Sequence, residues 1–146
     1  MIRPALSLLL LLALVQSLAA EPLKTGRDLV QAAQKQIHSI DTGQLQQLLK
    51  DHPALVLVDV RTHDEVRMMG GTIDAPGNVV IPRGWLEFRI QQHALDAETP
   101  IVVYCGANIR SPLAALTLQQ MGYQKVFNYA DGYIGWRKTK LPIKAP

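Results

Sequence analysis

Two runs in the chain are apolar up to a single terminal polar or reactive residue: LVLVD (55–59) and IVVYC (101–105). Runs without polar alternation suit strands covered on both faces, as in a parallel sheet between helical layers. Helical segments are expected after each, at roughly 62–68 and 112–121. The second has clear punctuation: Ser111 fits an N-cap, Pro112 the first helical position and Gly122 the end. NVVIP (78–82) predicts another strand, ahead of a helix around Trp85–Gln92, and KVFNY (125–129) a further one. Upstream, Leu29, Ala32, Ala33 and Ile37 fall on one face of a helix over 25–37. Asp41-Thr42 opens a second helix, GQLQQLLKD, which His52-Pro53 terminates. Strands alternating with helices define an α/β layered fold. In a parallel sheet all strand C-terminal ends share one edge, where ligands bind, so Asp59 and Cys105 both face it.

The first residues change the picture of where the chain works. MIRPALSLLLLLALVQSLAA has a positive start at Arg3, an apolar stretch from Ala5 to Val15 and small residues before Glu21. This is a secretory signal pattern, with an apolar stretch shorter than the about 20 residues of a spanning helix. Cleavage after Ala19 places Ser17 and Ala19 at the small-residue positions, and no cysteine at the junction favours a lipid anchor. The expectation is an exported, periplasmic protein with no stable membrane insertion after processing. The remaining length is enough for one domain with a real core. Loss of Arg3 with the signal takes the net charge from +3 to +2. That mild excess, without a basic cluster carrying aromatics, argues against nucleic acid as a partner. Lys138, Lys140 and Lys144 read as a solvated end.

Cys105 is the single cysteine, so no internal disulfide is available to an exported chain. Such a thiol is a liability unless it is buried or used. Placed before a helix N-terminus, it meets unpaired backbone N–H groups and the positive end of the helix dipole, which favour the thiolate. A tight loop from Gly106 to Arg110 forms a cradle of inward N–H groups for an anion or a polarised sulfur. Gly106 and Ala107 are expected to keep it open, Asn108 to tolerate a left-handed backbone, and Arg110 to add fixed charge. The competing reading is a packed core thiol with Arg110 paired to Asp59, since free cysteines are commonly buried. The loop alone leaves the two about equal.

The surroundings separate them. From about Ile37 to Pro142 the chain resembles the rhodanese family of sulfurtransferases. The resemblance rests on LVLVDVRTHDEV with Asp-Val-Arg at 59–61, GGTIDAPGNVVIPRGWLEF (70–88), CGANIRS (105–111), MGY (121–123) and DGYIGW (131–136). It implies a three-layer α/β/α domain with a five-stranded parallel sheet and a persulfide carried on Cys105. It also implies a cradle of Gly106, Ala107, Asn108, Ile109, Arg110 and Ser111, and strands bearing Asp59 and Cys105 side by side. Asp59 and Arg61 then act as supports with Arg110 in reach, and Arg83 and Glu87 are candidates for the entrance. The domain plan is a signal peptide at 1–19, a helical extension at 20–36, the rhodanese-like domain at 37–142 and a tail at 143–146. Three departures bear on substrate preference: Gly106 and Asn108 stand where the family often has arginine and glycine, and GTIDAP (71–76) lacks the usual histidine.

The implied reaction moves a sulfane sulfur from a small thiosulfate-type donor to a thiophilic acceptor, with no cofactor, no metal and no identified partner protein. The histidines at 38, 52, 63 and 93 show no paired ligand spacing, and one cysteine cannot build a zinc site alone. His63 reads as an exposed residue at a helix start and Trp136 as core, while Trp85 partly shields the pocket or is plain surface. Two other readings compete with this one. Cysteine phosphatases use a C-x5-R loop, one residue longer than the C-x4-R from Cys105 to Arg110. A silent binding module would use the same edge, but such modules typically lose the cysteine.

Overall fold

The computed structural model describes residues 21–146, so the proposed signal peptide lies outside the described residues. Helix α1 (Gly26–Gln34), strand β1 (His38–Ile40) and helix α2 (Thr42–Asp51) lead into β2 (Val56–Asp59) and α3 (His63–Met68). After β3 (Thr72–Ile73) and β4 (Asn78–Val80), a 3-10 turn (Arg83–Trp85) runs into α4 (Leu86–Arg89) and a second 3-10 turn (Ile90–Gln92). The chain continues through β5 (Ile101–Tyr104), α5 (Ser111–Gln120), β6 (Val126–Tyr129), α6 (Gly132–Lys138) and β7 (Ile143–Lys144).

Five strands form one sheet in the order β1-β6-β5-β2-β4, every pair parallel. Asp59 stands opposite Tyr104 across β2 and β5, so the residue after Tyr104 leaves the sheet beside Asp59. Every residue of β2 and β5 is buried, as strands covered on both faces require. The period-2 alternation divides their side chains cleanly. Val56, Val58, Ile101 and Val103 pack with Ala114, Ala115 and Leu118 of α5 on one face. Leu57, Val102 and Tyr104 pack with Leu45 of α2 and Tyr133 and Trp136 of α6 on the other. Trp136 is thus core, its indole N–H donating to the Pro142 carbonyl at 2.8 Å.

Three helices begin with reciprocal capping boxes, Thr25 with Asp28, Asp41 with Gln44, and Thr62 with Glu65. Helix α5 departs from expectation. Its cap is Arg110 in a helical conformation with no side-chain cap, and Ser111 is its first residue. The Ser111 hydroxyl is drawn away to the thiol, which leaves the cap without it. Pro112 occupies the first turn, and Gly122, at φ +102, ends the helix as expected. The segment expected as a single helix over 85–92 is two 3-10 turns around one short α-turn. Strand β1 carries no apolar run that would announce it: HSI is exposed at its first two positions and pairs with β6. Ile143 and Lys144 of the expected tail pair antiparallel with Ile73 and Thr72. Among the described residues no helix is long and apolar enough to cross a membrane.

Candidate active site

Cys105 follows β5 directly and is 1% exposed. Its Sγ lies 3.6 Å from Ser111 Oγ; the thiol donates there when neutral, and the hydroxyl donates once the sulfur is charged. The backbone N–H groups of Ile109, Arg110 and Ser111 also converge on the sulfur. Burial pushes this thiol up, but the Ser111 hydroxyl and the three N–H groups outweigh it and hold it below its ordinary value. The loop is therefore a nest built around sulfur, closed by the first turn of a ten-residue helix.

Two backbone features make the nest. Asn108 has φ 57, the left-handed region expected of it. Its Oδ1 accepts from Nδ2 of Asn128 on β6 at 3.0 Å. The loop's start is gripped from α6, where the N–H groups of Tyr133 and Ile134 donate to the carbonyls of Cys105 (2.9 Å) and Gly106 (3.1 Å). That approach requires Gly132: a Cβ there would lie 2.7 Å from Gly106 O and 2.8 Å from Cys105 O, at φ +60. Gly106, in contrast, need not be glycine. A Cβ would meet Met69 Cε at an ordinary 3.8 Å, so alanine fits there, while the expectation concerned larger side chains that would crowd the cradle. Ala107 and Ile109 are exposed on the loop's outer side.

Beneath the loop, Arg61 and Asp59 are both fully buried. Arg61 Nε donates to both Asp59 carboxylate oxygens, at 2.9 and 3.1 Å, and its Nη2 to Gly71 O at 2.9 Å. The guanidinium stacks 3.9 Å from the centre of the Tyr133 ring, the residue whose N–H holds Cys105 O. Thr72 Oγ1 donates to Asp59 and shares a 2.6 Å hydrogen bond with Tyr104. A buried ion pair with this many partners fixes the end of β2 against α6. Asp59 and Arg61 thus support the loop through Tyr133 rather than touching its sulfur.

Arg110 does not pair with Asp59. Its two terminal nitrogens donate to the two Glu65 oxygens at 2.7 and 2.6 Å, a fork-to-fork pair. Glu65 is held for this by its capping box, Oε2 also accepting from Thr62 N–H. The Arg110 hydrogen bond, with burial acting against it, takes the Glu65 carboxyl down to about 2. The sequence reading missed Glu65; its only signal was the Thr-x-x-Glu spacing at 62–65. Arg83 donates to Glu87 (2.9 Å) and to Thr117 Oγ1 of α5 (2.7 Å). Their hydrogen bonds among the described residues run to each other and to α5, not to the cradle. Trp85 is half exposed, with the Arg89 guanidinium over its ring. His63 is the exposed first residue of α3, as expected. Among the described residues no group of His, Cys, Asp or Glu side chains is placed to hold a metal.

Two open hollows lie along α6, and the first reaches the loop at Ala107. One, of about 510 Å³, is lined by Ala107, Asp131, Ile134 and Lys138 with Thr42 and Thr139. The other, of about 480 Å³, is lined by Met68, Met69, Ile134, Arg137 and Lys138.

Comparison with known proteins agrees with this architecture. The model of the rhodanese-like domain matches residues 41–139. A sulfurtransferase from Allochromatium vinosum is 34% identical over 110 residues, covering 75% of this chain and 97% of the relative. The solution structure of a polysulfide-sulfur transferase homodimer from Wolinella succinogenes has a TM-score of 0.70 at 32% identity, covering 79% of this chain and 83% of that one. A Rhodopseudomonas palustris protein of unknown function, described as a possible tyrosine phosphatase, has a TM-score of 0.71 at 27% identity. It is covered over its full length, against 88% of this chain. The chain belongs to the rhodanese-like family, and its likeness to sulfurtransferases supports sulfur transfer as its general class of activity.

Proposed function

We propose that the protein is an exported sulfurtransferase that moves a sulfane sulfur from a thiosulfate-type donor to a thiophilic acceptor through a persulfide on Cys105. The observation that carries this reading is the buried Sγ at the focus of the Ser111 hydroxyl and three backbone N–H groups. The Cys105 thiolate attacks the outer sulfur of thiosulfate; the S–S bond of the donor breaks and sulfite leaves with the bonding pair. The new sulfur extends the side chain by one bond, about 2.05 Å, carrying the negative charge outward along the cradle. A thiophile such as cyanide then takes that sulfur, forming thiocyanate and returning the thiolate. The charge of each state stays on sulfur, where fixed N–H dipoles stabilise it without reorganising. Of the charged side chains lining the two hollows, Arg137 and Lys138 outnumber Asp131, which favours an anionic donor.

Phosphoryl transfer fits less well. The loop is one residue short of the phosphatase spacing, and both forks of Arg110 are occupied by Glu65. Purified protein is tested with thiosulfate and cyanide, with a phosphate monoester in parallel, beside Cys105→Ser. Thiocyanate that depends on Cys105, with one added sulfur in the intact mass removable by reductant, is expected. Cys105-dependent phosphate release would replace the reading with the phosphatase. If neither reaction occurs and no persulfide forms with other sulfane donors, the fold serves as a binding module. Export predicts a processed protein beginning at Ala20 or Glu21 in the periplasm, and N-terminal sequencing that starts at Met1 would refute it.

A further inference from the structure

Asn128 is an anomaly in β6. It is fully buried, it alternates onto the same face as Val126, and it lies in register between Val103 of β5 and Ser39 of β1. An apolar residue would suit that place. Its Nδ2 donates to Ser39 Oγ and to Asn108 Oδ1, both at 3.0 Å. Its Oδ1 is buried without a hydrogen-bond partner among the described residues. An unpartnered buried amide oxygen is destabilising, so the arrangement disfavours folding for the sake of the donor it presents.

We propose that Asn128 is a positioning residue for the cradle, locking Asn108 in the left-handed conformation from which the next three N–H groups reach Cys105 Sγ. Asn108 is one of two non-glycine residues at positive φ among the described residues. A left-handed backbone is unfavourable for any side chain beyond glycine, and asparagine bears it best when its amide is bound. The bond from Asn128 supplies that hold from a strand paired on both sides, with β1 and with β5. Released from it, residue 108 would relax toward negative φ and swing the N–H groups of Ile109, Arg110 and Ser111 off the sulfur. The inference rests on the reading of Cys105 as a reacting thiolate.

The test is the pH profile of Cys105 alkylation by iodoacetamide, followed by intact mass, which needs no sulfur donor. Charged and titratable groups around the loop are the Arg110–Glu65 pair, the Asp59–Arg61 pair, Tyr133, Arg137 and Lys138 of α6, and Asp131 before it, and none is altered. Asn128→Ala and Asn128→Val are expected to move the profile to higher pH and slow alkylation near neutrality about fivefold. That is less than the full loss of one hydrogen bond to a charged group, as partial misalignment of the three N–H groups requires. Valine suits the strand and removes the unpartnered oxygen, so it should melt no lower than the parent while still reacting slowly. In an Asn108→Gly background the same Asn128 substitutions should change the rate less than about twofold, because glycine holds positive φ unaided. An unchanged profile in either folded Asn128 variant overturns the proposal. So does an equally large effect in the Asn108→Gly background, or failure of both variants to fold. A parent protein that alkylates normally yet transfers no sulfur would sink the sulfurtransferase reading alone.

Discussion

Replacing Gly132 with alanine isolates the grip of α6 on the reactive loop. The added Cβ would stand 2.7 Å from Gly106 O, 2.8 Å from Cys105 O and 3.1 Å from Gly106 C, all of them backbone atoms that no side-chain rotation can clear. Two costs combine. Alanine at φ +60 carries the left-handed penalty of about 1–2 kcal/mol. Relieving the contact also pushes apart α6 and the loop, lengthening the hydrogen bonds from Tyr133 N–H and Ile134 N–H to those two carbonyls. At about 0.5–1.5 kcal/mol each, partial loss of the pair adds roughly 1–2 kcal/mol. The sum is about 2–4 kcal/mol, a fall in Tm of roughly 5–15 °C for a domain of this size. Gly106→Ala is the internal control, since its Cβ meets only the flexible end of Met69 at 3.8 Å and should cost less than about 0.5 kcal/mol. Denaturant melts give the stabilities, and iodoacetamide alkylation reports the thiol. Because the displaced carbonyls belong to Cys105 and its neighbour, Gly132→Ala should also slow alkylation in the folded protein. A Gly132→Ala protein within 0.5 kcal/mol of the parent would refute the reasoning, as would a Gly106→Ala protein equally impaired.

Cys105→Ser should fold with its Tm within a few degrees of the parent, since volume and the Ser111 contact are nearly kept, while thiocyanate formation is lost. Asn108→Val should lower sulfur transfer at least about tenfold more than Asn108→Gly, because a β-branched residue resists φ 57; equal rates would show ordinary backbone geometry there. Glu65→Gln should lower stability at pH 7 by about 1 kcal/mol, discounted for the partial exposure of both partners. The Glu65 carboxyl is depressed from 4.5 to about 2, so its contribution is complete above the higher value and disappears as pH falls through the lower. Urea melts from pH 7 to pH 2 should therefore show parent and variant converging in acid, and a constant gap would exclude the pair as its source. Arg110→Ala should leave the thiol alkylatable but slow turnover with anionic donors, read as a lower kcat/KM for thiosulfate.

Legibility in the sequence followed the range of the interaction. Buried parallel strands declare themselves locally: the unbroken runs 55–58 and 101–104 announced β2 and β5, and with them the edge shared by Asp59 and Cys105. The left-handed geometry at Asn108 was readable as a conformation its own side chain tolerates, whereas the bond from Asn128 that holds it there was not. Strand β1 was not, because HSI is two-thirds exposed and becomes a strand only by pairing with β6. The helix around 85–92 broke into 3-10 turns although its apolar pattern looked helical. Only Leu86 and Ile90 of that segment are buried, and so short an apolar contact does not enforce a continuous helix.

The misread site residues share one cause. Ser111 looked like an N-cap because caps are predicted from neighbours in sequence, yet its hydroxyl had a competing partner six residues back in the thiol. Arg110 was weighed against Asp59, the acidic residue at the next strand's end. Asp59 was already taken by Arg61, two residues away on the same chain segment, whose Nε and backbone N–H both reach it. A carboxylate so engaged has little left for a second guanidinium, and Arg110 turns outward to Glu65, which its own capping box holds ready. Gly132 and Asn128 likewise entered only as letters in DGYIGW and KVFNY. Their work is done on Cys105, Gly106 and Asn108, more than a dozen residues upstream and across the sheet edge. The loop's own letters describe a thiol that can be activated; what holds the loop in the activating shape comes from β6, α3 and α6, so substitutions there test the site as directly as substitutions within it.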